Sequence, residues 1–105
     1  MGYRVVFTPE ARDQLVSIYR YIAAEAAADT ASTFVTAIVD YCESFSTFPN
    51  RGTRRDDLRP GLRTVGFRRR VTIAFTADEQ RIAILGIFYG GQSIEAALRP
   101  ATPSQ

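Results

Sequence analysis

Leu58-Arg59-Pro60-Gly61-Leu62-Arg63 runs through Val65-Gly66-Phe67-Arg68-Arg69-Arg70 into Val71-Thr72-Ile73-Ala74-Phe75-Thr76, and the reading of this stretch decides the fold. Val71, Ile73 and Phe75 alternate with Thr72, Ala74 and Thr76, the two-residue period of a strand buried on one side. Asp78-Glu79-Gln80-Arg81 then leads to Ile82-Ala83-Ile84-Leu85-Gly86-Ile87-Phe88-Tyr89, which is apolar on both faces. The whole of Leu58 to Tyr89 therefore reads as a three-strand antiparallel meander with its arginines crowded at one end. A strand apolar on both sides belongs inside a sheet, so the last strand is expected there.

Upstream, Tyr3, Val5 and Phe7 alternate with Arg4 and Val6 in a short first strand, expected to lie beside the last one. Thr8-Pro9-Glu10 reads as a helix start: a capping hydroxyl, a proline where a missing N–H costs nothing, and an acid at the positive end of the dipole. Ala11, Leu15, Ile18 and Ile22 form the buried stripe of that helix. Asp29 or Thr30 starts a second helix whose stripe is Phe34, Ile38, Tyr41, Phe45 and Phe48, ended by Pro49 and Gly52. Ala31, Val35, Val39 and Cys42 form a further apolar flank, and Val16 and Tyr21 lie off the stripe of the first helix, on opposite sides. Helix–helix packing accounts for this excess better than an exposed groove does, since scattered exposed apolar residues are ordinary. After the meander, Gly90-Gly91 ends the strand, Ser93 caps a short helix through Arg99, and Pro100 stops it. The expectation is an α+β domain over residues 1–99, ordered β-α-α-β-β-β(-α), with the helical hairpin on one face of the sheet. Residues 100–105 are expected to be a flexible tail.

Composition narrows the chemistry. The chain has 105 residues, room for one core, and 46% hydrophobic with 23% charged residues is ordinary for a globular domain. Net charge is only +2, against a protein defined by wholesale phosphate neutralisation. All 13 basic residues are arginine, a bias that GC-rich coding explains before function does. Histidine is absent, which removes the usual metal ligand and the usual general base together. A single cysteine, Cys42, allows no internal disulfide and fits a reducing compartment. Met1-Gly2-Tyr3-Arg4-Val5-Val6-Phe7 has no charged leader before a long apolar run, and the run from Ile82 to Tyr89 is too short to span a bilayer, so a cytoplasmic protein without membrane contact is expected. No phosphate loop, dinucleotide fingerprint, nucleophile elbow or metal motif is present, so no cofactor or metal is expected.

The arginine cluster has two readings. On a regular strand Arg68 and Arg70 share one face and Arg69 takes the other, with Arg81 near the start of the last strand and Tyr89 at its end. Arginines around a tyrosine would hold an RNA backbone and stabilise charge on a scissile phosphate. Alternatively, Arg68 to Arg70 mark an edge or turn and pair with Asp56, Asp57, Asp78 or Glu79. The second reading is favoured, because a tyrosine with an ordinary pKa of about 10 is a poor base without strong tuning.

The element order, the Phe48-Pro49 helix end, the Gly52-to-Arg55 turn and the Leu58-to-Arg63 motif together closely resemble ParE-type toxins of the RelE/ParE superfamily. So do the Val71-to-Phe75 strand and the ending Ile84-Leu85-Gly86-Ile87-Phe88-Tyr89-Gly90, and the likeness runs from Tyr3 to about Leu98. It implies the toxin of a type II toxin–antitoxin pair, neutralised by a ParD-like antitoxin that wraps the helical hairpin and sheet, with two toxins on an antitoxin dimer or a higher assembly. ParE-type members act on DNA gyrase by binding, which implies no active site and no specific DNA contact by this chain alone. RelE-type members cleave mRNA on the ribosome; that alternative would use Arg68, Arg70, Arg81 and Tyr89, although the usual lysines and any histidine are missing. A third alternative is an inactive homologue that only binds its antitoxin. On the helices, the resemblance places Val16, Tyr19, Arg20, Tyr21, Val35, Val39 and Cys42 under the antitoxin. Arg63, Arg68 and Arg70 would meet it from the sheet.

Overall fold

Thr8 closes the first strand and opens the first helix, and this junction sets the layer arrangement. The computed structural model describes residues 3–90. Its first strand, β1, spans Arg4–Phe7, and helix α1 spans Pro9–Glu25. The Thr8 hydroxyl accepts a hydrogen bond from the Ala11 N–H at 3.1 Å, so the expected cap is present, with Pro9 in the first turn. Helix α2 spans Ala28–Glu43, one or two residues earlier than expected, and its cap position Ala27 offers no side-chain acceptor. A 3-10 turn, Ser44–Ser46, follows.

Strand β2 is the two-residue Thr53–Arg54, which the sequence reading placed in a turn. Then come β3 (Arg63–Phe67), β4 (Val71–Ala77) and β5 (Arg81–Tyr89). The five strands are ordered β1-β5-β4-β3-β2; β1 runs parallel to β5 and the remaining pairs are antiparallel. The meander and the interior position of β5 beside β1 are as expected. The fold is α+β: two helices and a five-stranded mixed sheet. The expected short helix from Ser93 to Arg99 and the tail at 100–105 lie outside the described residues.

Two clusters of buried side chains sandwich the sheet. On the helix side Ile18, Ile38 and Phe45 meet Ile73, Phe75, Ile82, Ile84 and Ile87. Ala74 and Phe88, which alternate with these along β4 and β5, pack on the other side against Leu58 and Leu62. The Asp56–Gly61 loop is thereby held under the sheet. Phe48 departs from expectation: the α-helix stops at Glu43, the tighter 3-10 turn shifts the phase of the stripe, and Phe48 is 63% exposed.

The β5 strand carries a register shift beside Ala74 and Phe75, since Phe75 pairs with Ile84 but Ala74 pairs with Gly86. Beyond it β1 no longer covers β5, because the β1 ladder ends at Phe7 opposite Ile84. Helix α1 fills the gap: the Ile87 N–H donates to Gln14 Oε1 at 2.6 Å, and the Thr8 hydroxyl donates to the Leu85 carbonyl at 3.4 Å. This docking brings the outer half of α1 beside the end of β5.

Candidate functional site

Where α1 crosses the end of β5, a concavity of about 430 Å³ opens between Gln14, Ser17, Ile18, Tyr21, Tyr89 and Gly90. Its aromatic wall continues inward. Tyr21 and Tyr89 have ring centroids 5.7 Å apart, and Phe34 meets Tyr89 nearly edge-on at 5.9 Å. Phe67 lies between Phe34 at 6.3 Å and Tyr41 at 4.9 Å, and Tyr41 meets Phe45, which meets Phe75. The rings thus form a continuous path from the surface to the buried core, in the tilted and edge-on geometries that aromatic quadrupoles favour. Val16, Tyr19 and Tyr21 are the exposed large apolar side chains of α1, at 47%, 37% and 55%. Of these, Tyr21 lines the concavity, whereas Val16 and Tyr19 lie on other sides of the helix; an exposed aromatic at the mouth of an apolar concavity suits a protein partner.

The flank of α2 divides. Ala31 and Cys42 are fully buried, while Val35 and Val39 are half-buried. Cys42 therefore belongs to the helix–helix core and is withdrawn from the partner surface; a small side chain on the inner flank lets the helices approach. Burial pushes its thiol up to about 12, with the Glu43 carboxylate adding to the shift. The thiol stays neutral at physiological pH, and the stability it contributes is complete below the ordinary value of 9.0 and lost as pH rises toward about 12.

The arginines are arranged differently from either reading of the sequence. Arg68 and Arg69 are not in a strand. They are the central residues of the β3–β4 turn, both left-handed with φ of 53° and 62°, and the Arg70 N–H closes the turn onto the Phe67 carbonyl at 3.3 Å. The proposed alternation of Arg68 and Arg70 against Arg69 is corrected accordingly. The turn sits beside Tyr89, because the Gly90 N–H donates to the Arg70 carbonyl at 2.8 Å. Arg68 stacks over Phe67 at 5.0 Å.

Arg81 is not part of this group. It starts β5 and Tyr89 ends it, a separation of roughly 25 Å along an extended strand. Arg81 instead lies opposite Arg4 and within 4.0 Å of Asp78. The quartet Arg68, Arg70, Arg81 and Tyr89 is therefore not assembled into one site. The expected pairing of Arg68 to Arg70 with nearby acids is also corrected. Asp56 is 2.8 Å from Arg54 and accepts from the Gly61 N–H; Asp57 is engaged bidentately by Arg55; Asp78 accepts from the Gln80 and Arg81 N–H groups. Among the described residues, Arg68, Arg69 and Arg70 form no ion pair.

Arg63 and Arg20 complete the expected set. Arg63 is half-buried and donates to the Asn50 carbonyl at 3.0 Å, latching the loop that precedes β2, while Arg20 is exposed on α1. Sequence reasoning missed Arg51, whose guanidinium lies 5.4, 5.0 and 5.6 Å from the ring centres of Tyr41, Phe45 and Phe48. An arginine just past three aromatics in a helical stripe was the available signal. Gln14 was also missed, since a polar residue inside an apolar stripe signals a backbone partner only once the sheet register is known.

The comparisons with known proteins agree with this geometry. A chain from the chromosomal ParDE toxin–antitoxin system of P. aeruginosa superposes with a TM-score of 0.74 at 24% identity, covering 85% of this chain and 97% of its own. A chain from the toxin–antitoxin complex RelBE2 of Mycobacterium tuberculosis superposes at 0.61 and 19% identity, covering 85% of this chain and 99% of its own. These likenesses concern the fold. No curated protein sequence matches the chain. The family model described as the ParE toxin of the type II toxin–antitoxin system parDE matches residues 5–94, and the chain belongs to that family.

Proposed function

We propose that this chain is the toxin of a type II pair, that a ParD-like antitoxin neutralises it by covering the α1 face and its concavity, and that it acts by binding DNA gyrase. The observation that carries the antitoxin surface is the concavity between Tyr21 and Tyr89, with Tyr21 exposed at its mouth; Val16 and Tyr19 are exposed on other sides of the same helix, where a wrapping segment would reach them. Arg20 on the same helix and half-buried Val35 and Val39 extend the surface; the Arg70 carbonyl is bonded to Gly90 at its edge, Arg68 faces a neighbouring concavity with Asp29, and Arg63, committed to its loop, lies back from it. The assembly is two toxins held by an antitoxin dimer in the cytoplasm. No helix of the described residues is long and apolar enough to cross a membrane.

A binding toxin is favoured over a ribonuclease because Arg81 and Tyr89 stand at opposite ends of β5. The choice of gyrase rests on family membership alone. Purified protein is expected to inhibit supercoiling or trap gyrase–DNA cleavage complexes at micromolar concentration, and to lose that effect when co-expressed with the product of the adjacent reading frame. Inert behaviour toward gyrase, together with A-site mRNA cleavage on ribosomes, would reverse the assignment of target. Failure of any neighbouring product to co-purify or protect would remove the antitoxin.

A further inference from the structure

At the start of the β1–β5 ladder Arg4 stands directly opposite Arg81. Residues opposed in a ladder share one face of the sheet, with their strands about 4.8 Å apart. Two guanidinium side chains therefore leave the same spot, and like charges in that relation are destabilising. The sheet holds one other such opposition among the described residues, Arg54 with Arg63, and the chain compensates it internally. Arg54 is 2.8 Å from Asp56, and Arg63 donates to the Asn50 carbonyl at 3.0 Å.

The Arg4–Arg81 pair has no such compensation. The Arg4 side chain makes no hydrogen bond or ion pair among the described residues. Asp78 stands 4.0 Å from Arg81 Nε, but its Oδ1 accepts from the Gln80 and Arg81 N–H groups at 2.8 and 2.7 Å. Those N–H groups hold the Asp78 pKa down more than the Arg81 charge does. One carboxylate, spent mainly on backbone amides, thus faces two arginines.

Both arginines line a concavity of about 500 Å³ together with Tyr3 and Gln80. Each of these four side chains can donate a hydrogen bond, and no carboxylate is among them. Asp78 and Glu79 line a neighbouring concavity that shares Gln80 and Arg81. A wall of donors with two positive charges side by side fits one compact oxyanion carrying two negative charges. A phosphate monoester meets that description, with a charge of about −1.5 to −2 at neutral pH and three acceptor oxygens. A nucleic-acid backbone does not, since its phosphates carry one charge each and two arginines neutralise too few of them at physiological salt.

We propose that Arg4 and Arg81, with Tyr3 and Gln80, form a binding site for a phosphate monoester dianion. The site stands at the opposite end of β5 from Tyr89, so it is separate from the antitoxin surface and independent of that assignment. A phosphate bound there bridges the two guanidinium groups and turns their repulsion into support for the β1–β5 ladder.

The test measures thermal melting of the full chain with inorganic phosphate, adenosine monophosphate or a mixed-sequence DNA duplex, at ionic strength held constant with chloride. The parent is compared with Arg4→Gln, with Arg81→Gln and with Arg12→Gln, which removes an exposed charge on α1. In chloride alone, Arg4→Gln is expected to melt no lower than the parent, because a like-charge opposition is relieved. Inorganic phosphate or the nucleotide at about 10 mM is expected to raise melting of the parent and of Arg12→Gln by roughly 2–5 °C, as millimolar affinity gives in a domain of this length. Either site variant is expected to gain less than half as much, and what it still gains measures the general exclusion of phosphate from protein surfaces. If Arg81→Gln does not fold, Arg4→Gln decides alone, since its side chain holds nothing in the fold. An equal rise in the parent and the site variants overturns the proposal, as does no saturable rise in the parent. Loss of the rise in Arg12→Gln overturns it too, because the effect would then be one of net charge. A response to the duplex alone, abolished in the site variants, overturns it in favour of nucleic acid.

Discussion

Two arginine-rich segments lie on the sheet, and they are electrostatic opposites. In the segment from Arg54 to Arg63, Arg54 is 2.8 Å from Asp56, Arg55 holds Asp57, and Arg63 caps the Asn50 carbonyl. Its left-handed residue is Gly61, φ 78°, where no side chain opposes the conformation. In the segment from Arg68 to Arg70, left-handed positions fall on arginines, and none has an acidic partner among the described residues. The first segment is also anchored by Leu58 and Leu62 beneath the sheet, whereas the second projects beyond β3 and β4. Local consistency of turn residue, charge partner and buried anchor marks a segment shaped for folding; its absence marks one that the rest of the fold must sustain.

The largest effect that would test this contrast is Leu62→Ala. The side chain is fully buried against Leu58, Ala74 and Phe88, so its truncation is expected to cost about 2–5 kcal/mol in denaturant unfolding. A cost below about 1 kcal/mol would mean that the Arg54–Arg63 segment is not anchored from below. A smaller and more pointed pair concerns the left-handed residues. Gly61→Ala is expected to destabilise by about 1 kcal/mol from backbone strain alone, because an added Cβ there meets nothing within 4 Å. Arg69→Gly removes the same kind of strain and is expected to be neutral to stabilising, the loss of strain offsetting the added freedom of the unfolded chain. Equal signs for the two substitutions would erase the distinction between the segments.

How much of this was legible in the sequence follows from which signals are local. The alternation from Val71 to Phe75, the two-faced apolar run to Tyr89 and the Thr8-Pro9 cap each carry their structural meaning within a few residues, and each was read correctly. The Arg68–Arg69 turn carries no turn residue, so it reads as more strand; only tertiary context sustains it. The division of the α2 flank is similarly hidden, because Cys42 and Val39 look alike in hydropathy and differ only in which side the neighbouring helix occupies. The separation of Arg81 from Tyr89 was present in the sequence as strand length. Grouping them required overlooking that a nine-residue strand places its ends far apart.

The gentlest probe of the contrast is acidification. Asp56 is held below the ordinary carboxylate value of 3.8, chiefly by the Gly61 N–H, with Arg54 adding to it. Asp57 is lowered chiefly by its bond from Arg55, and Asp78 by the N–H groups of Gln80 and Arg81. A carboxyl group whose pKa is depressed in the folded state stabilises that state above its unfolded value, and the contribution disappears as pH falls through the folded value. All three carboxylates are fully exposed, so the effect on global stability is small and screened by salt. It is local, however. As pH falls below the ordinary carboxylate value of 3.8 and through the lowered folded-state values, the Gly61, Gln80 and Arg81 amides are expected to lose hydrogen-exchange protection, while the Arg70 and Gly90 amides of the cationic turn, bonded to carbonyl oxygens, keep theirs. If the Arg70 and Gly90 amides opened over the same pH range, a carboxylate would have to be compensating the turn, and the contrast between the two segments would fall.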